Sequence, residues 1–276
     1  FMGSAVNLAI PSIGAEFHAP AVMLNWIVTS YLLASAAFLV PFGRLADLYG
    51  RRRVFLVGTG LYALLSLGSA LARSGEILLA CRVLHGLGGA MIFGTGVAIL
   101  TSVFPPQERG RVLGLNTAAV YAGLSLGPII GGFLTHQLGW RSIFFANFAL
   151  GLVVLVATVV GLKGEWRGAA GERFDPYGAV AYSLSLAALM VGISTAGSFA
   201  GASWLFLLGA AGLLGFVGWE LRLSHPVLDL RLFRNVVFAF SNLAALINYS
   251  ATFGVGYLLS LYLQMVKGLD PQRAGY

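Results

Sequence analysis

Nine apolar stretches recur along this chain, each bounded by charge, glycine or proline: 1–14, 24–45, 54–72, 77–102, 111–134, 142–162, 176–197, 202–221 and 236–266. A helix needs about 20 residues to cross a hydrocarbon core, and most of these stretches approach that length. A water-soluble fold has no interior large enough for so many. In lipid each backbone N–H and C=O must be satisfied within the chain, which leaves helices or a closed barrel. The short alternating segments of a barrel are not seen. The expectation is therefore an all-α, polytopic helical membrane protein. Only 10% of the 276 residues are charged, against roughly 25% in an ordinary soluble domain. The 37 glycines then favour close helix contact. The single Cys81 excludes an internal disulfide framework, so packing must hold the fold.

The placement of charge sets an orientation. With the Phe1 end starting toward the cytoplasm, that side collects Arg44, Arg51, Arg52, Arg53, Arg109, Arg111, Lys163, Arg167, Arg173, Arg222, Arg231 and Arg234. The other side holds Arg73, Arg141, Lys267 and Arg273. This is the asymmetry expected of a multi-pass protein of the cell membrane. It assigns the formal charge of +7 to the lipid bilayer and not to nucleic acid. Two polar connections divide the chain. "KGEWRGAAGERFDP" from 163 follows six crossings, and "RLSHPVLDLRLFRN" from 222 follows two more. In the second, Val227, Leu228, Leu230, Leu232 and Phe233 alternate with charge, the pattern of a segment lying along a membrane surface. The expected organisation is a six-helix bundle over 1–162, linkers with two additional helices over 163–235, and a first helix of another set over 236–276. Phe1 opens inside an apolar run without a cationic leader, so no signal peptide is read there, and the chain reads as part of something longer.

Three stretches carry more than topology. In "GRLADLYGRRRVF", residues 43–55, Gly43 and Gly50 are placed to turn the chain at either end of a short connection. Arg44, Asp47 and Arg51 stand three and four apart, the spacing of helical ion pairs. Such a cluster serves either as a topology anchor or as a latch between helix ends. In "CRVLHGLGGAMIFGTGVAIL" from 81, Arg82 sits inside an apolar helix, where an isolated cation is costly and normally meets a partner or a water-filled cavity. His85 and Gly86 lie beside it, and Gly86, Ala90, Gly94 and Ala98 form a stripe of small residues. In "AAVYAGLSLGPIIGGFL" from 118, Ala119, Gly123, Gly127 and Gly131 share one face, and Pro128 removes a backbone donor.

These residues together resemble the major facilitator superfamily. Gly43, Leu45, Ala46, Asp47, Gly50, Arg51 and Arg52 match its loop motif G-x-L-A-D-x-x-G-R-R/K. Arg82, His85 and Gly86 match the R-x-x-Q-G motif of its proton antiporters, with histidine in place of glutamine. Gly123, Gly127, Pro128, Gly131 and Gly132 match its antiporter motif G-x-x-x-G-P-x-x-G-G. "LGWRSIFFANFALG" from 138 is similar to the start of the sixth helix of the drug exporters. "HPVLDLRLFRN", followed by a helix ending "LYLQMVKG", resembles the ninth crossing of the branch with fourteen spans. The resemblance implies a gating loop at Gly43, Arg44, Asp47, Gly50, Arg51 and Arg52, proton coupling through Arg82 and His85, and a pliant contact between two halves along the fifth helix. Asn7 and Pro11 are kept from the first-helix pattern of that branch, but Met2 stands where its aspartate would be.

None of the ten acidic residues is expected deep within a crossing, although a membrane carboxylate is the usual site of proton exchange. Asn7, Asn25, Trp26, Tyr31, Asn116, Tyr121 and Asn147 are candidates to line a cavity for a lipophilic small molecule. No phosphate-binding G-x-x-x-x-G-K-[ST] loop occurs, which argues against an ATP-driven pump. The four scattered histidines show no metal-ligand spacing, and no hydrolytic constellation is evident. The expected function is secondary, proton-coupled efflux of lipophilic or cationic drugs by a monomer without cofactors, and not an enzymatic reaction. Export or uniport of a metabolite or lipid precursor, and a membrane sensor or scaffold without turnover, are the alternatives.

Overall fold

A computed structural model describes residues 2–197, 199–262, 266 and 267. Its helices in chain order are α1 (Met2–Phe17), α2 (Ala21–Tyr49), α3 (Arg51–Ala70), α4 (Gly75–Val103), α5 (Pro106–Leu138), α6 (Arg141–Gly161), α7 (Pro176–Ser194), α8 (Ala202–Glu220) and α9 (Val236–Leu261), with a 3-10 turn at Leu230–Arg234 before the last. No strand occurs among the described residues. Seven of these helices, α2 to α8, are long and apolar enough to cross a membrane. α1 has 16 residues. The end of the expected ninth crossing at 263–265 and the loop 268–276 lie outside the described residues.

Helix starts follow local chemistry. Ser74 caps α4 by accepting from the Ile77 amide, which satisfies one of the orphan donors of a first turn. Asp175 does the same for α7 by accepting from the Tyr177 amide, with Pro176 in the first helical position, where its missing N–H costs nothing. Pro106 opens α5 in the same way.

Residues up to Leu228 form one compact unit, and those from Asp229 onward a second. In the first, α2 and α3 both pack on α4, α3 packs on α6, α1 on α5, and α7 on α8 and α2. The two additional helices therefore join the six-helix bundle, and Ser183 of α7 donates to the Ala37 carbonyl of α2 at 2.9 Å. Glycines let α4 fit between its neighbours. A Cβ on Gly86 would meet Ala34 Cβ at 2.6 Å, and one on Gly88 would meet the Tyr62 amide nitrogen at 2.9 Å. The predicted small-residue stripe thus faces α2. The apolar core centres on α1, α2, α4 and α6, where Val6, Ile13, Ile27, Leu78, Ile143 and Phe144 are completely buried. In contrast, α5 buries only Gly127 and Gly131. Its outward leucines, isoleucines and phenylalanine suit lipid or another helical surface, since neither exacts a hydrophobic penalty.

In the second unit Phe233 packs edge-on against Phe238. Val227, expected with the surface-lying segment, is instead only 6% exposed. The first unit holds it because the Leu228 amide that follows is bound by a carboxylate, Glu220.

Candidate functional site

The arginine-rich helix ends form one connected structure. α2 does not stop at Gly43. It runs on to Tyr49, and Gly50 alone separates it from α3. This corrects the reading of Gly43 as a turn. Gly43 is a contact residue, because a Cβ on Gly94 of α4 would meet its amide nitrogen at 3.4 Å. Gly50 has φ +120°, a conformation that side chains rarely tolerate. A Cβ there would also strike the Glu165 side chain.

Arg51 is the centre of this site. Its Nε donates to Asp47 Oδ1 at 2.8 Å and its Nη1 to the Ala98 carbonyl at 3.1 Å and to Ser102 Oγ at 2.6 Å. One guanidinium thereby ties the start of α3 to both the end of α2 and the last turn of α4. The carbonyl end of a helix also attracts a cation. The expected neighbour pairing is corrected in one respect: Arg44 does not pair with Asp47. It bonds Glu172 in the first linker, which also contacts His225 Nδ1 at 3.2 Å.

That linker lies directly on the helix junction. The Arg51 amide donates to the Trp166 carbonyl at 2.9 Å, and the Ala169 amide donates to the Asp47 carbonyl at 3.1 Å. The Arg52 amide donates to Glu165 Oε1 at 2.9 Å, while the Arg53 side chain pairs with the same carboxylate at 3.6 Å. Gly168 passes so close that a Cβ would meet Asp47 Oδ1 at 3.1 Å and Arg51 Nη2 at 3.0 Å. Residues 165–172 are a strap over the Asp47–Arg51 pair. Hydrogen bonding from Arg44 holds the Glu172 carboxyl below the ordinary carboxylate range, with a smaller contribution from His225. Sequence reasoning missed Glu165 and Glu172 as partners. The only signal was acidic charge in a connection facing an arginine cluster more than a hundred residues away.

A second polar group is enclosed among α2, α3, α4 and α6. Arg82 is 1% exposed and His85 is completely buried. Arg82 Nε donates to the Ile27 carbonyl at 2.9 Å, and its guanidinium lies 4.7 Å from the Tyr31 ring centroid, a cation–π distance. Its Nη1 has no partner. Ser66 Oγ donates to the Tyr62 carbonyl and accepts from Asn147 Nδ2 at 2.6 Å. With the Ser66 proton so committed, His85 Nε2 is the donor across their 3.2 Å contact. This network assignment leaves His85 Nδ1 as a buried, unpartnered acceptor. Tyr31, Tyr62 and Asn147 also border a largely apolar crevice of about 250 Å³ with Phe55, Ile92 and Phe93.

The structure thus brings Tyr31 and Asn147 to the Arg82–His85 cluster, and does not bring the other cavity candidates there. Asn7, Asn25 and Tyr121 are exposed, and Trp26 and Asn116 are half-buried. Along α5, Gly127 and Gly131 are buried, Gly123 and Gly132 are half-buried, and Pro128 is exposed. A Cβ on Gly131 would meet Ala5 Cβ at 2.7 Å. At this position the glycine face packs on α1 inside the same unit.

Comparison with known families matches residues 1–276 to the Major Facilitator Superfamily. Among curated proteins, the chain is 34% identical to the multidrug resistance protein Stp of Mycobacterium tuberculosis (strain CDC 1551 / Oshkosh), over 98% of this chain and 51% of that protein. It is 34% identical to a probable actinorhodin transporter of Streptomyces coelicolor, over 99% of this chain and 49% of that protein. It is 28% identical to the riboflavin transporter RibZ of Clostridioides difficile, over 99% of this chain and 60% of that protein. The chain spans about half the length of the first two.

Proposed function

Because the chain belongs to the Major Facilitator Superfamily, we propose that this multi-pass cell-membrane protein serves in secondary active efflux, exchanging lipophilic or cationic drugs for protons by alternating access. The observation that carries the reading is the Arg51 latch. One side chain joins α2, α3 and α4 at the arginine-rich face, and a peptide strap closes over it. Breaking and remaking a few charge-assisted bonds at helix ends is the kind of change on which two packed arrangements can differ. The latch and strap open as the helix ends part and re-form as they close. Efflux is supported by relatives named for multidrug resistance and for actinorhodin transport.

Proton coupling is supported by the interior cluster. Arg82 Nη1 and His85 Nδ1 are buried without partners, and such groups are costly unless they bind something during the cycle. Asn147 and His85 both donate to Ser66 Oγ, which links α6, α3 and α4 through one hydroxyl beside Arg82. A second reading, export of a metabolite, rests on the riboflavin transporter among the relatives.

Counterflow of a labelled lipophilic cation and, separately, of labelled riboflavin into proteoliposomes of the full-length protein tests both. Drug exchange that accelerates under an imposed pH gradient supports antiport. Riboflavin exchange alone favours the second reading, and no exchange of either excludes both. With Arg82→Ala, gradient-driven drug efflux should disappear. Undiminished coupling would remove Arg82 from the mechanism.

A further inference from the structure

The antiport reading makes no use of Glu220, yet Glu220 is the most deeply buried acid among the described residues, only 2% exposed at the last position of α8. Its Oε2 accepts from the Leu228 amide at 3.0 Å. Its Oε1 is buried and has no donor. A charged oxygen enclosed without a donor is among the least favourable arrangements in a protein.

Another carboxylate stands near Oε1. A Cβ placed on Gly178 would meet both Glu220 Oε1, at 2.7 Å, and Asp175 Oδ2. Both oxygens border the same space beside Gly178, where glycine leaves room. Asp175 already accepts two hydrogen bonds. Its Oδ1 accepts from the Tyr177 amide at the start of α7, and its Oδ2 accepts from Trp219 Nε1 at 2.8 Å. Its position at a helix N-terminus favours negative charge, whereas Glu220 ends a helix, where negative charge is disfavoured. The nearby cation, Arg44 of α2, acts on Glu220 from a distance but gives its Nη2 to Glu172, which also engages His225. Like charge close by disfavours ionisation of both groups, and two neighbouring carboxylates can share one proton. Among the described residues no third acidic, histidine or cysteine side chain completes a metal site.

We propose that Asp175 and Glu220 form a proton-binding site at the arginine-rich end of the α7–α8 pair. A proton taken from the adjoining water sits on Glu220 Oε1 and is donated to Asp175 Oδ2, so the pair carries one negative charge instead of two. The resulting hydrogen bond staples the first turn of α7 to the last turn of α8. The staple holds while the proton is bound and is lost as pH rises and Glu220 ionises.

The test uses the full-length protein in lipid and does not depend on transport. Glu220→Gln keeps the shape and donates a hydrogen bond without a charge, as the protonated acid does. The expected result is a melting temperature equal to that of the native protein at neutral pH, together with loss of the fall in stability that native protein shows at alkaline pH. Infrared difference spectra should show a protonated-carboxyl stretch in native protein at neutral pH that Glu220→Gln removes. Overturning results are a Glu220→Gln protein that is destabilised or fails to fold, which would mean the negative charge is required, or a carboxyl band unchanged by the substitution.

Discussion

Arg51 Nη1 meets Ser102 Oγ at 2.6 Å, joining the first residue of α3 to the last turn of α4 across 51 positions of sequence. The same guanidinium holds Asp47 four residues back. Arg51→Ala should lower stability by about 1–3 kcal/mol, the usual range for hydrogen bonds to a charged group in a partly buried place. Arg51→Lys should not restore it, because a point charge cannot reach three acceptors in a planar fork. Thermal unfolding in detergent, with the two variants beside the native protein, checks this. Equal stability for Lys and native would mean that the fork is not needed.

The strap should be insensitive to mild acid. Arg44 keeps the Glu172 carboxyl below its ordinary range, so its contribution is complete above the unfolded value of about 4.3 and is lost only as pH falls through the lower folded value. Hydrogen exchange of the Ala169 amide, which is bonded to the Asp47 carbonyl, should stay slow from neutral pH down to the ordinary carboxylate range once the intrinsic rate is corrected. Opening should begin in stronger acid. In Glu172→Gln, protection should be weaker at neutral pH and free of that acid transition.

Two glycines of α4 should respond oppositely to the same substitution. Gly86→Ala would place a Cβ within 2.7 Å of the Tyr31 carbonyl, and Gly96 has nothing within 4 Å. Overpacking costs typically 1–3 kcal/mol, while Gly→Ala in an open helical position gains roughly 0.5–1 kcal/mol. Gly86→Ala should therefore melt lower than native and Gly96→Ala slightly higher. A matching response at both positions would contradict the close α2–α4 seam.

The helices were legible in sequence because lipid leaves the chain so few alternatives. Apolar runs bounded by charge, glycine and proline predict α2 to α8 to within a few residues, apart from the far end of α2 and both ends of α5, which run four or five residues further. Gly43 and Tyr49 show why those ends were harder to read. Polar residues continue a helix wherever their side chains find partners, and Arg44 and Asp47 find theirs in a linker and in Arg51. Periodicity also put Arg82, His85 and Gly86 together and gave α4 a small-residue face. It could not choose what that face or the α5 glycines would meet, since spacing defines one helix surface and not its neighbour. For Glu165, Glu172 and Glu220 the sequence shows only acids that are not deep within a crossing. Their partners are far away in sequence, and only the folded chain brings these together.

The proposed alternating access requires the strap over Asp47 and Arg51 to leave its seat during turnover. Ala169, within the strap, is only 7% exposed, and the native Cys81 is free. In a Cys81→Ser background, Ala169→Cys can be reacted with a water-soluble maleimide in proteoliposomes of the full-length protein, with and without a pH gradient and substrate. The account predicts slow labelling at rest that accelerates several-fold during turnover. Equal rates in both conditions, with efflux running, would contradict it.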